Sequence, residues 1–329
     1  MSLANHPAKP ALSQLPSTYA IALSEIGAIK LEGEEQTKYL QGQVTCDVNE
    51  STASNLLHGA HCDAKGKVFS VFRLFNRDGA HMLLQEQTTI EGSQAELQKF
   101  GVFAKVEISQ QQNLAFCAFA GDEAATTIKQ LFNQVPDALT QVINVDSTTI
   151  IYIAGSIPRF ILVDESATLE KLLSATELPV FSHDVWRLLE INQGFPILGE
   201  ALINQHAPQV FNVQAINGIS FTKGCYLGQE TVARMQYLGK NKRAMFSLTG
   251  EQEVPQPLAS GHIIEKQLGE NWRRAGEVVN AYTADSGEVF VQAILASDIT
   301  AEDHLRIKSD EAEGSKLAIN TLPYSLDAE

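Results

Sequence analysis

The chain has 329 residues, of which 44% are hydrophobic and 19% charged, and its formal net charge is −15 with a pI near 5.0. This length suits two or three domains, because single cores stop growing at roughly 250–300 residues, and the composition excludes a largely disordered chain. The negative charge argues against a surface that binds nucleic acid directly, since such binding depends largely on lysine and arginine.

Residues 1–18 contain three prolines and lack a basic segment followed by an apolar one, so we expect a loose arm and not a signal peptide. The most apolar stretch, 149–163, is interrupted by Gly155, Pro158 and Arg159. It is therefore shorter than the roughly 20 residues that a membrane span needs. We expect a cytoplasmic protein without membrane contacts.

Strand and helix patterns alternate through the next part of the chain. The predicted strands are 19–23, 28–31, 68–75, 82–84, 102–108, 114–120, 141–145, 149–154 and 160–164. The predicted helices are one within 33–42 and others at 88–99, 123–132, 169–175 and 183–193. Short strand-like runs after Arg243, separated by glycine and proline, predict a small β-barrel.

These patterns predict an α+β fold with ferredoxin-like elements and four parts. After the arm, 19–110 and 181–242 form one interleaved α+β region, 111–180 form a ferredoxin-like segment, and 243–329 form the barrel.

The four cysteines are widely spaced and form no C-x-x-C pair: Cys46, Cys62, Cys117 and Cys225. Neither a metal site nor a disulfide framework is predicted from this spacing. We expect reduced thiols, with three of them acting as small apolar side chains.

Cys225 differs because of the segment around it, Lys223-Gly-Cys-Tyr-Leu-Gly-Gln-Glu230. Gly224 and Gly228 bracket the cysteine, and a helical pattern begins near Gly228. A nearby lysine and a helix N-terminus both favour thiolate over thiol. The segment therefore predicts a reactive thiol at Cys225 tuned by Lys223, although a lone cysteine in a turn is more often buried and structural.

The same segment, with its motif residues Gly224, Tyr226, Gly228, Gln229 and Glu230, resembles the signature of the YgfZ family. Tyr39-Leu-Gln-Gly-Gln-Val-Thr-Cys-Asp47 and Asp63-Ala-Lys-Gly-Lys67 resemble two further motifs of that family. The similarity runs from about Ile21 through Arg243. It implies a multidomain fold like that of the glycine-cleavage T-protein, enclosing a folate site, and a role in iron–sulfur-dependent tRNA modification.

The resemblance also implies which residues bind the folate. Trp186 matches a tryptophan associated with folate, and Asn192 and Gln193 offer amide groups to a pterin. Ile26 stands where some relatives place an aromatic ring on the folate. T-proteins carry a glutamate at the position of Asn192.

Ser70 and Val71 occupy the positions where T-proteins have aspartates, so aminomethyl transfer is disfavoured. The favoured hypothesis is a folate-binding accessory factor that supports iron–sulfur clusters in client enzymes, including tRNA-methylthiolating enzymes, through Cys225. One alternative is a tetrahydrofolate-dependent one-carbon transferase of the T-protein class. Another is a docking module that uses folate as a structural ligand.

Overall fold

The computed structural model describes residues 6–237, 239, 241–251, 258–308 and 316–326. Helices α1 to α6 span Gln36–Gln41, Gln87–Gly101, Ala124–Phe132, Ser166–Ser174, His183–Gln193 and Gln229–Tyr237. Strands β1 to β11 span Thr18–Ala22, Ile26–Glu32, Leu57–Cys62, Val68–Arg77, Ala80–Glu86, Glu107–Gln110, Leu114–Gly121, Val142–Val145, Thr148–Ile153, Arg159–Glu165 and Val180–Phe181. Strands β12 to β17 span Arg243–Glu251, Ile263–Leu268, Asn271–Thr283, Glu288–Ala296, Leu305–Ile307 and Lys316–Asn320.

The first sheet has five strands in the order β3-β4-β5-β2-β6. Asp78 and Gly79 both have positive φ values and connect β4 to β5, as a tight hairpin requires. Apolar residues of α1 and α2, such as Leu40 and Leu97, share a buried cluster with one face of this sheet. Strand β3 was not predicted, and the strand expected at 102–108 begins later, at Glu107.

The second sheet has six strands in the order β11-β1-β7-β10-β9-β8. Strand β1 pairs antiparallel with β7 and parallel with β11. It therefore belongs to the second sheet, although the strands that follow it in the chain, β2 to β6, form the first sheet. Alternate side chains of β1 point to opposite faces. Tyr19 and Ile21 enter the core between the two sheets, and Ala20 packs in the cluster that contains residues of α3 and α4.

Helix α5 lies at the centre of the molecule and is buried on both faces. Trp186 and Leu189 pack into the core between the sheets, while Leu188 and Ile191 pack with barrel residues of β14 and β15. The buried residues of this helix include the polar His183 and Glu190 as well as its five apolar side chains. It ends at Gln193, as predicted, and is followed by Gly194, whose φ of 67° is favourable for glycine.

Strands β12 to β17 form a closed barrel in the order β12-β15-β14-β13-β16-β17, which confirms the predicted C-terminal barrel. Residues 6–17 of the N-terminal arm are not loose, because the Tyr282 hydroxyl donates to the Pro10 carbonyl at 2.8 Å and the Lys9 amide donates to Asp285 at 2.8 Å. Among the described residues, no helix combines the length and apolar character of a transmembrane span.

Candidate functional site

Cys225 is exposed in the loop that precedes α6, whereas the other three cysteines are buried. Burial raises the pKa of the Cys46 thiol to about 12, and it also raises the pKa values of Cys62 and Cys117. The thiolate is the reactive form of cysteine. Cys225 is therefore the thiol that solvent and other proteins can reach.

The loop is anchored on both sides of Cys225 by the segment between α1 and β3. Before the cysteine, the Lys223 ammonium donates to the carbonyl oxygens of Val44 and Cys46 at 2.8 and 2.5 Å. After it, the Leu227 amide donates to the Gly42 carbonyl at 3.0 Å. These bonds fix the position of the loop ends and leave Cys225 at the surface.

Lys223 is buried, with only 8% of its surface exposed, and burial lowers its pKa to about 8. Its ammonium also lies 5.2 Å from the ring centroid of buried Tyr226. Through Val44 and Cys46, Lys223 is bonded to the main chain of the Tyr39–Asp47 motif. A direct electrostatic effect of Lys223 on the Cys225 thiol stays a prediction.

The Asp63–Lys67 motif supports the Cys225 loop from the other side. Gly228 has a φ of 80° and lies against Gly66, whose φ is 73°. Gly66 belongs to a turn in which the Asp63 carboxylate accepts hydrogen bonds from the amides of Lys65 and Lys67, both at 2.8 Å. All three motifs that carried the family resemblance therefore meet at the Cys225 loop.

The remaining motif residues have different surroundings. Gly224 is exposed, with open space where a Cβ atom would lie. Gln229 and Glu230 begin α6, and Glu230 pairs with Arg234 at 3.1 Å on the surface. Such an exposed pair contributes little to stability.

A second candidate region lies between the two sheets and α5. The Glu190 carboxylate of α5 accepts hydrogen bonds from Arg73 of β4, at 2.8 and 3.1 Å, and from Arg159 of β10. All three residues are at least nine-tenths buried, with 5% or less of their surface exposed. Two cations face one carboxylate, so the cluster holds an excess positive charge that favours an anionic or acceptor-rich ligand.

This cluster borders two small cavities. One, of about 10 Å³, is lined by Ile26 and Trp186 together with Glu190. The other, of about 110 Å³, is lined by Gln193 and by residues of β9 and the C-terminal segment. Arg73 and Phe195 line both cavities, and the Arg73 guanidinium carbon lies 3.6 Å from the centre of the Phe195 ring. These two side chains form the partition between the cavities.

The predicted folate residues are only partly brought together. Trp186 and Ile26 share one cavity, and Gln193 lines the other. The Asn192 amide donates to the Ser156 hydroxyl at 3.2 Å, in a partly exposed position. Asn192 thus points to a different environment from its neighbour Gln193.

Sequence reasoning missed Arg73, Arg159 and Glu190. A signal was present, because Glu190 interrupts the apolar run Leu188–Ile191 of the predicted helix 183–193. A charged residue in such a run usually has a buried partner. The partners themselves come from distant strands and carry no spacing pattern.

The positions compared with the T-protein aspartates carry no carboxylate. The Ser70 hydroxyl donates to the Gln85 side-chain oxygen at 3.0 Å, and Val71 lines the cavity that contains Trp186. Neither side chain can act as a general base at neutral pH.

The two sheets, the buried central helix and the barrel together define a T-protein-like fold. The chain resembles the structure of the glycine cleavage system aminomethyltransferase T from Bartonella henselae with a TM-score of 0.69 and 13% identity, over 96% of this chain and 87% of that chain. This likeness confirms the predicted fold class.

Sequence comparisons identify the family. Residues 241–311 match the family described as YgfZ, beta-barrel domain. A tRNA-modifying protein YgfZ from Colwellia psychrerythraea is 58% identical over 97% of both chains. One from Yersinia pseudotuberculosis is 41% identical over 96% of this chain and 95% of that protein. The chain belongs to the YgfZ family.

Proposed function

We propose that this protein is a cytoplasmic, folate-binding accessory factor that supports the synthesis or repair of iron–sulfur clusters in client enzymes, including tRNA-methylthiolating enzymes. The clients and their clusters are its substrates, and Cys225 is the group that acts on them, as a nucleophile or as a transient cluster ligand. Two similar proteins carry the name tRNA-modifying protein, which supports the link to tRNA.

The observation that carries the proposal is the construction of the Cys225 loop. Two other segments of the chain hold it: residues 42–46 bond to Leu227 and to the buried Lys223, and the turn at Gly66 packs against Gly228, yet the thiol stays exposed. A thiol needed only for packing would be buried like the other cysteines. A rigidly presented, accessible thiol suits contact with another macromolecule.

The chemistry of the cavity lined by Trp186 fits a folate. Buried donor groups of Arg73 and Gln85, which line this cavity, have no hydrogen-bond partner among the described residues. A pterin offers ring nitrogens and a carbonyl oxygen as acceptors, and Trp186 offers an apolar face. Bound tetrahydrofolate would supply a carrier for one-carbon groups.

The size of the cavities adds a requirement. Ligand sites usually enclose about 300 Å³ or more, while the larger cavity here has about 110 Å³. Folate binding therefore requires the site to widen beyond the two cavities together, and movement of Arg73 and Phe195, which line both, would begin this by joining them. The role of Arg73 is to pair with Glu190 before binding and to orient the ligand afterwards.

The test measures methylthiolated tRNA in cells that lack the protein, after complementation with the wild type or with Cys225→Ser at equal expression. We expect the wild type to restore the modification and the serine variant to fail. Full restoration by Cys225→Ser would contradict the role of the thiol. Folate binding is tested separately, by titrating purified protein with tetrahydrofolate and following Trp186 fluorescence, with Trp186→Phe as the variant.

A further inference from the structure

Three potential metal ligands from separate parts of the chain meet beside the cavity lined by Trp186. Glu25 lies between β1 and β2, Glu86 ends β5, and His183 begins α5. One ligand atom of each lies within 4.8 Å of the other two, and His183 Nε2 is 3.9 Å from a Glu86 carboxylate oxygen. From these contacts we propose that Glu25, Glu86 and His183 form a binding site for a divalent transition-metal ion.

The His183 imidazole is buried without a hydrogen-bond partner among the described residues. Its side chain is 2% exposed, and neither ring nitrogen has a hydrogen-bond partner within the described ranges. Leaving a buried polar group unpaired costs about 1–3 kcal/mol, so nearly all such groups have a partner. A metal ion bound to one ring nitrogen would supply the partner that the buried imidazole lacks.

Two carboxyl groups, those of Glu25 and Glu86, lie next to this imidazole. The Glu86 side chain is only 15% exposed, and its carboxyl group lies beside both Glu25 and the unpartnered His183 ring. A divalent cation at this point would contact one oxygen of each carboxyl group and one imidazole nitrogen, so a single ion would serve all three groups.

The donor set indicates the class of metal. One imidazole nitrogen and two carboxylate oxygens suit Zn²⁺ or Mn²⁺, whereas Mg²⁺ and Ca²⁺ prefer oxygen ligands alone. Metal–ligand bonds of about 2.1 Å in a tetrahedral site place ligand atoms roughly 3.4 Å apart. The three groups must therefore draw closer. Glu25 can do so because its side chain is 52% exposed, which also gives the ion a path from solvent.

Arg187 is the competitor for this site. It lies 2.7 Å from a Glu25 carboxylate oxygen and also pairs with Asp184, which Lys9 contacts at 2.8 Å. A metal ion must share Glu25 with Arg187 or displace it. Because Glu86 also lines the cavity that contains Trp186, the bound ion would lie at the wall of that cavity.

The test titrates metal-free, full-length protein with Zn²⁺ by calorimetry, in a Cys225→Ser background that removes the exposed thiol. We expect one Zn²⁺ per chain and at least about tenfold weaker binding in Glu25→Gln and His183→Gln, as is typical for disrupted metal sites. Glu34→Gln is the matched control, because Glu34 is an exposed carboxylate paired with Lys105. It should bind Zn²⁺ like the parent protein.

The absence of saturable Zn²⁺ binding would overturn the proposal. So would unchanged affinity in Glu25→Gln, a surface variant that does not threaten the fold. Circular dichroism establishes whether His183→Gln is folded, and unchanged affinity in the folded variant would also exclude the proposed ligand set. The measurement is independent of folate and of tRNA, so its failure leaves the function of Cys225 unaffected.

Discussion

Gly228 and Gly66 are in direct backbone contact: a methyl group on Gly228 would lie 2.8 Å from the Gly66 Cα atom and 2.5 Å from the Asp63 carbonyl oxygen. Real Cβ atoms do not approach other atoms so closely. The contact therefore requires glycine at position 228 and fixes the distance between the Asp63–Lys67 turn and the Cys225 loop.

Gly228→Ala should destabilise the protein by at least about 1–2 kcal/mol, because alanine is strained at positive φ and its methyl group meets the turn. Urea unfolding measures this effect. Gly224→Ala is the matched control on the other side of Cys225, where a methyl group meets nothing within 4 Å. Equal stability of the two variants would show that the Gly66 contact is dispensable.

Cys225 should react with iodoacetamide at least tenfold faster than any other cysteine in the native protein. The reason is access, together with the raised pKa of the Cys46 thiol and of the other two buried thiols. Peptide mass spectrometry after timed labelling measures each site. Faster labelling of Cys46 or Cys62 would mean that the loop does not present Cys225 as described.

Lys223→Met should change how stability depends on pH. Burial lowers the Lys223 pKa from 10.5 to about 8, so between these values the unfolded chain binds more protons than the folded protein. The contribution of this group to stability therefore rises as pH rises from about 8 to 10.5. Relative to the variant, the wild type should gain up to roughly 3 kcal/mol over this range.

Urea unfolding at pH 7 and pH 10 tests this difference, with Lys65→Met in the exposed turn as the control. A wild-type advantage over Lys223→Met that is constant, or that shrinks as pH rises, would contradict the assignment.

Gln193→Ala should weaken tetrahydrofolate binding more than Asn192→Ala. Gln193 lines the larger cavity, whereas the Asn192 amide is directed at Ser156. We expect a loss of about 1 kcal/mol in binding free energy for Gln193→Ala, the usual value for one hydrogen bond. Fluorescence titration of both variants provides the comparison, and the reverse order would place the ligand on the Asn192 side.

The purified protein should release no ammonia from an aminomethylated lipoyl carrier protein in the presence of tetrahydrofolate. Ser70 is bonded to Gln85 and Val71 is apolar, so neither can replace a catalytic carboxylate. Measured turnover would favour the alternative function, a one-carbon transferase.

The sequence was sufficient for features that depend on neighbouring residues. The two strands on either side of the Asp78–Gly79 turn, helix α5 and the C-terminal barrel all follow from local patterns and were confirmed. The three motifs could each be found in the sequence, but their meeting around Cys225 could not, because it depends on main-chain contacts such as Leu227 to Gly42.

The buried charge cluster could not be predicted from the sequence either, because it depends on contacts between distant segments. Arg73, Arg159 and Glu190 lie on two strands of different sheets and one helix, and their mutual distances follow only from packing of the sheets. Likewise, Glu25, Glu86 and His183 are not spaced in the sequence as metal ligands usually are. The prediction of no metal site considered only such spacing, so it could not include these three residues.

The place of β1 in the second sheet has a consequence for synthesis on the ribosome. Its partners are Leu114–Gly121 and Val180–Phe181, so this apolar segment is made long before either of them and gains its second neighbouring strand only after residue 181. Long-range pairing of this kind slows folding and leaves an edge open to aggregation. A nascent chain released before residue 114 would lack both partner strands and expose Tyr19 and Ile21, which makes such truncated products natural targets for chaperones and proteases.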